Sequence, residues 1–258
     1  MAQRQPLIVT LSRTSIDRLG DRLRQGSVTD ADLRVLDEYR RSFGEAYENV
    51  VQTIREGVHL EPTGRPAKST ASIVEKLNRE SIRLVQIQDI AGCRVVVSDA
   101  VEQERVVVVL RTVFPGVSIV DRRARPSYGY RAVHAIVQGS GKAVEIQVRT
   151  SLQHLWAELS EKLSDVFDPA IKYGGGTDEV KHMLGVASEA VAGLEEVEIE
   201  IAGMKAKLAQ LPNVEGRAEL EGGLIDLQEK MTVARQIIRD ALIESIPAAP
   251  EKKKEPKP

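Results

Sequence analysis

The spacing of apolar positions changes character three times along the chain. Over residues 30–57, Leu33, Leu36, Tyr39, Phe43, Tyr47, Val50 and Ile54 step by three or four, and Thr29 or Asp30 is placed to cap the start. That spacing predicts one amphipathic helix. Past the turn-prone Glu61-Pro62-Thr63-Gly64, a shorter helical pattern runs over 70–78. The middle of the chain then reads as strands. Residues 93–97 and 117–120 are β-branched, with a Val-rich helix over 101–114 between them. Residues 130–138 and 142–150 predict two more strands, joined by the turn-forming Gly139-Ser140-Gly141, and a helix follows over 151–163.

Tyr173-Gly174-Gly175-Gly176 reads as a flexible joint, after which the pattern is purely helical. Apolar residues fall at 180, 184, 187, 191, 194, 197, 201, 204, 208 and 211, and again at Leu220, Leu224, Leu227, Met231, Ala234, Ile238 and Ala241. With the break at Leu211-Pro212-Asn213, this predicts a helical hairpin over 177–246 with a coiled-coil-like seam. The two helices pack on each other or on the rest of the chain, or they offer the seam to a second copy or a partner. Residues 247–258 are rich in Pro and Lys and read as disordered. The predicted fold class is therefore α/β in the α+β sense. A small mixed β-sheet flanked by helices occupies 63–170, behind an N-terminal helical region over 1–62 and ahead of the long C-terminal hairpin.

Composition narrows the classes of function. With 36 Lys or Arg against 38 Asp or Glu the net charge is −2, so contact with nucleic acid requires a local patch. Hydrophobic residues make up 42 %, but 5 Tyr, 3 Phe and 1 Trp leave the core largely aliphatic. Cys93 is the single cysteine, which excludes an intramolecular disulfide and a cysteine zinc cage. The longest apolar run, 106–110, falls far short of the roughly 20 residues that span a bilayer, so no membrane partner is expected. Residues 1–12 lack the apolar core of a signal peptide, and the expected location is the cytoplasm.

Candidate chemistry gathers in the middle. Alternation along the strand at 142–150 puts Val144, Ile146 and Val148 on one face and Glu145, Gln147 and Arg149 on the other. A solvent-facing strand has the same pattern. In the neighbouring strand Tyr130 and His134, four apart, share a face. Asp89 precedes the strand that carries Arg94, and an acid at a strand end suits Mg²⁺ where phosphates are handled, although a turn or cap residue looks alike. Arg65, Lys68 and Lys76 flank the helix that opens at Ser69-Thr70-Ala71-Ser72, an arrangement suited to a polyphosphate or simply a solvated basic face. Arg122, Arg123, Arg125 and Arg131, offset by Asp121, give residues 121–131 a net +3, able to meet an acceptor phosphate or a nucleic-acid backbone. Neither a P-loop nor a Gly-x-Gly-x-x-Gly fingerprint occurs, no histidine is followed by Asp, and there is no His-Glu-x-x-His.

Four strings in order, Arg65-Pro-Ala-Lys68 with Ser72 and Lys76, Asp89-Ile-Ala-Gly-Cys-Arg94, Gly129-Tyr130-Arg131-Ala-Val-His134, and Glu145-Ile-Gln147-Val-Arg149-Thr150, closely resemble the synthetase domain of the RelA/SpoT family over residues 63–165. The missing His-Asp dipeptide makes the chain similar to a small stand-alone alarmone synthetase without the family's hydrolase half. The resemblance implies Mg²⁺-dependent transfer of the β,γ-pyrophosphate of ATP to the 3′-hydroxyl of GDP or GTP, giving ppGpp-type alarmones and AMP. It implies that Asp89 and Glu145 hold Mg²⁺, with Glu145 also accepting the hydroxyl proton. On the ATP side Arg65 and Arg94 would bracket the adenine, and Lys68, Ser72 and Lys76 would line the phosphates. On the acceptor side Tyr130 would stack on the base, with His134, Gln147, Arg149 and Arg125 around it. Arg65 precedes Lys68 by three positions, where most relatives have two. Some toxic small members instead modify the 3′ end of tRNA and are neutralised by an antitoxin, which gives the hairpin a second kind of expected partner. A non-catalytic nucleotide-binding regulator is the third reading.

Overall fold

The computed structural model describes residues 12–212 and 216–247. Its elements, in chain order, are α1 (Arg13–Gln25), α2 (Asp30–Arg41), α3 (Gly44–Gly57), β1 (Thr63–Arg65), α4 (Thr70–Arg79), β2 (Ala91–Val97), α5 (Ala100–Val113), β3 (Ser118–Asp121), β4 (Val133–Gly139), β5 (Lys142–Thr150), α6 (Ser151–Val166), α7 (Asp178–Gln210) and α8 (Arg217–Ser245). The strands form one mixed sheet in the order β1-β2-β5-β4-β3, the α+β class that the pattern predicts. The expectations of a disordered tail and of no leader fall on residues 248–258 and 1–11, which lie outside the described residues. The chain clusters into two compact units. One comprises the described residues up to Arg94 with Val113–Ser118 and Ala135–Gln147; the other comprises Val95–Thr112, Ile119–His134 and the described residues from Val148 onward.

In the first unit the helix predicted over 30–57 is two helices. Ser42 donates its hydroxyl back to the Tyr39 carbonyl at 2.6 Å, and Phe43 closes a tight turn onto Arg40 at 3.2 Å before Gly44 restarts the helix. The apolar step of four, Tyr39 to Phe43 to Tyr47, continues across the break, so periodicity alone conceals it. The bend sets the Tyr39 and Phe43 rings edge to face at 5.3 Å, with the Lys142 ammonium within 4.9 Å of both centroids. Helix α1 lies in the N-terminal region read as helical over 1–62, but the apolar pattern does not single it out. Its apolar stripe is only Ile16, Leu19 and Leu23, interrupted by Gly20, where a Cβ would stand 2.8 Å from the Leu84 side chain. The glycine weakens the helical signal and permits the close approach. Strand β1 lies antiparallel to β2, with Arg65 opposite Gly92.

In the second unit Leu152, Trp156, Leu159 and Leu163 of α6 bury against Leu184, Val191 and Leu194 of α7 and Leu242 of α8. The end of the hairpin next to α6 packs within the unit, α7 on α8 and both on α6, while Met204, Leu211 and Leu220 at the far end of the seam are exposed. Strand β4 begins at Val133, not 130; Tyr130 sits in a turn, its amide bonded to the Ser127 carbonyl at 3.0 Å. Nor is 173–176 a loose joint. Residues Ile171–Tyr173 form a 3₁₀ turn with Ile171 buried, Gly174 takes φ +80°, and a Cβ on it would fall 2.2 Å from the Tyr128 ring. The glycines are there because the chain packs tightly.

Two substitutions should move stability in opposite directions. Gly174→Ala is expected to cost about 1–3 kcal/mol through left-handed strain and overlap with Tyr128. Gly185→Ala, inside α7 with open space around its Cβ, is expected to gain about 0.5–1 kcal/mol. Urea midpoints at constant slope measure both.

Candidate active site

The first unit builds a cationic clamp around one acid. The Asp89 carboxylate accepts from the Lys68 ammonium at 2.6 Å through one oxygen and from the Lys76 ammonium at 3.0 Å through the other. All three groups are four-fifths or more covered, so the charges are only partly screened. Lys76 comes from α4, whose start is capped by the Ser69 hydroxyl accepting from the Ser72 amide; Ser72's own hydroxyl is bonded to Ser69 at 2.8 Å. Lys68 is fixed through its backbone. Its amide donates to the Ile90 carbonyl at 2.6 Å, and its carbonyl accepts from Arg40 of α2 at 2.7 Å. Arg40 carries no sequence signal for this role, because its partner is a backbone atom 28 residues away. Burial by itself would raise the Asp89 pKa; the two ammonium groups outweigh it and hold it below the ordinary aspartate value.

In the same unit Glu145 stands on β5, half-buried, accepting from the Gln147 side-chain amide at 2.8 Å. A Cβ on Gly92 would meet the Glu145 carbonyl oxygen at 3.1 Å and its Cβ at 3.6 Å, so Glu145 lies directly alongside Gly92 of β2. Arg94, two residues on, shares Gly92's half-exposed face. Asp89 is three residues before Gly92, which bounds the chain between them to roughly 10 Å. The neighbourhood is registered by Cys93, whose thiol is pushed up to about 12 by burial and then by the Glu145 charge. Gly92 is the residue that sequence reasoning passed over: a side chain there would crowd the Glu145 backbone carbonyl.

In the second unit Arg149 donates to the Tyr130 hydroxyl at 3.0 Å, and that hydroxyl meets His134 Nε2 at 2.9 Å. The phenol oxygen thus accepts from Arg149 while sharing a hydrogen bond with His134 Nε2. The Arg149 guanidinium also lies over the Tyr130 ring, 5.0 Å from its centroid. The expected strand-face pairing of Tyr130 with His134 is thus achieved from a turn. Three of the four arginines of the basic segment point elsewhere. Arg123 pairs with Asp121 and Glu104, both at 2.6 Å; Arg131 bonds Ser188 and the Arg123 carbonyl; Arg122 bonds Ser127. Arg125 alone of the four is exposed, as is Arg65 at the end of β1. Tyr128 is also exposed, at 68 %, in a left-handed conformation with φ 54°.

Among the described residues no three of His, Cys, Asp and Glu gather into a metal cage. Asp89, with its two oxygens bonded to Lys68 and Lys76, and Glu145, bonded to Gln147, are hard carboxylates, the donor chemistry of which Mg²⁺ takes one or two before completing its shell from phosphate and water. Among the described residues no helix is long and apolar enough to cross a membrane.

Residues 64–164 match the region found in RelA / SpoT proteins. Uncharacterized proteins of Mycobacterium bovis and Mycobacterium tuberculosis are 36 % identical over 141 residues, covering 50 % of this chain and 52 % of theirs. The chain therefore spans about half the length of these curated relatives. A probable chloroplastic GTP diphosphokinase of Arabidopsis thaliana is 32 % identical over 120 residues, 44 % of this chain and 17 % of that protein. Among solved structures, small alarmone synthetase 1 of Bacillus subtilis bound to its product pppGpp is 30 % identical, covers 68 % of this chain and 98 % of its own, and superposes with a TM-score of 0.50.

The clamp has a pH signature. Because the folded pKa of Asp89 is lowered, its contribution to stability is complete above the usual aspartate range and is lost as pH falls through the lowered value. Asp89→Asn is expected to destabilise by about 1–3 kcal/mol at pH 7, with the difference from wild type shrinking toward strong acid, as measured by urea unfolding across pH.

Proposed function

Since this chain belongs to the RelA/SpoT family, we propose that it transfers the β,γ-pyrophosphate of ATP to the 3′-hydroxyl of GDP or GTP, releasing AMP. The observation that carries this reading is the pair of ammonium groups held by one carboxylate just ahead of the strand that bears Arg94 and runs alongside Glu145. Lys68 and Lys76 supply fixed positive charge for a triphosphate and, being preset by Asp89 and by the backbone bonds of Lys68, need little reorganisation when it binds. Arg94 offers a planar cation for stacking on adenine, with Arg65 as its exposed counterpart, and Ser72 stands at the first turn of the helix carrying Lys76. On the acceptor side Tyr130 provides the ring for the base, with His134 and Arg149 bonded to its hydroxyl and Arg125 exposed on the same segment.

In the transfer, the acceptor 3′-oxygen forms a bond to the β-phosphorus as the bond from that phosphorus to the α,β-bridging oxygen breaks. AMP leaves with the bridging oxygen, and the hydroxyl proton passes to Glu145. Gln147 donates to the Glu145 carboxylate, which orients the oxygen that takes the proton. Asp89 and Glu145 would hold Mg²⁺, which supplies compensation for the charge spreading over the transferring phosphates.

Incubating the protein with ATP labelled in its β,γ-phosphates plus GDP, GTP or deacylated tRNA identifies the acceptor. Label on a guanine nucleotide is expected; label on tRNA alone would establish the toxin-type acceptor, and nucleotide binding without transfer would make the protein a regulator. Glu145→Gln is expected to lower turnover by at least about 10²-fold while the thermal midpoint stays within a few degrees, and retained turnover would remove Glu145 as base and ion ligand.

A further inference from the structure

Ser188 lies on α7 and is 4 % exposed. Its hydroxyl sits between the two residues that flank Tyr130, donating to the Gly129 carbonyl at 2.7 Å and accepting from Arg131 Nε at 3.2 Å. One hydroxyl has a proton for the first contact and lone pairs for the second, so both are made at once. Arg131 is anchored further by donating to the Arg123 carbonyl at 2.6 Å. Gly129 takes φ +88°, and a Cβ there would stand 2.7 Å from the Trp156 ring and 3.3 Å from the Ser188 Cβ, so this peptide is pressed onto α6 and α7. Trp156 in turn donates to the Leu184 carbonyl, one helical turn before Ser188, at 2.9 Å. Two turns further along α7, Glu195 accepts at 2.5 Å from Thr150, the residue that follows Arg149.

We propose that Ser188 is a positioning residue for the acceptor: by clasping Gly129 and Arg131 it fixes the backbone on both sides of Tyr130 and so aims the phenol ring that receives the base. The C-terminal hairpin is then part of the acceptor site, since the same helix steadies Tyr130 through Ser188 and the end of Arg149's strand through Glu195. This role rests on the acceptor function of Tyr130 proposed above. It goes beyond packing, because a serine that only filled space would make neither polar contact, and its loss would not single out one substrate.

The test uses the full chain, with ATP and whichever acceptor carries label. Ser188→Ala is expected to raise the acceptor KM about tenfold, with kcat and the ATP KM within about twofold of wild type. Emission of Trp156, the single tryptophan, should follow acceptor binding, and its midpoint should shift by the same factor as KM. Ser188→Thr, which keeps the hydroxyl, is expected to remain within about threefold of wild type. An acceptor KM unchanged in Ser188→Ala overturns the clasp. So does a loss spread equally over ATP KM, acceptor KM and kcat with a falling thermal midpoint, since that is what a purely structural residue produces. A wild-type protein that labels no acceptor is a separate result, seen before any substitution is made, and overturns the reaction and this role together.

Discussion

One carboxylate shared by two ammonium groups organises the candidate site of the first unit. Asp89 is four-fifths covered, and alone it would resist ionisation there; Lys68 and Lys76 reverse that balance and leave the trio with one net positive charge. The arrangement needs three segments to be correct at once. Helix α4 must start at its Ser69 cap, the Lys68 backbone must be held by Ile90 and Arg40, and Asp89 must come just before β2. The Ser69 cap is local, but the bonds of Lys68 to Ile90 and Arg40 join segments 22 and 28 residues apart, so the charged group depends on tertiary packing as well as on capping.

The second unit reaches an equivalent rigidity by other means. Its polar line from Arg149 through Tyr130 to His134 lies at the end of a strand and the start of another, where neither strand alone fixes a side chain. Helices α6 and α7 supply the fixing, by packing on Gly129 and by hydrogen bonds to Gly129, Arg131 and Thr150. A core built almost entirely from aliphatic side chains leaves its one indole at this contact, where a large flat ring is useful.

Much of this was legible in the sequence, and the failures share a cause. The alternation of β5, the Gly139-Ser140-Gly141 turn and the steps of three and four in α7 and α8 depend on neighbours along the chain, and each appears where the pattern places it. The break at Ser42-Phe43, the weak stripe of α1 and the tight packing of 173–176 depend on what lies opposite, which periodicity does not record. The charge of the 121–131 segment was countable, but the partner that turns Arg123 inward, Glu104, is contributed by a different helix. Gly92, Arg40 and Ser188 were invisible for the same reason: two act through backbone atoms of distant residues, and one through the atom it lacks.

The guanidinium resting on Tyr130 has a thermodynamic corollary. A tethered cation over the ring is an intramolecular competitor, present at a high effective concentration whatever the surroundings, and a base on the proposed acceptor role of Tyr130 would have to displace it. The observed dissociation constant is then the intrinsic one divided by the fraction of molecules with the ring uncovered. On the acceptor role proposed for Tyr130 this factor weakens every base alike, raising a threshold that bicyclic purines, with more stacking surface than pyrimidines, are best able to meet.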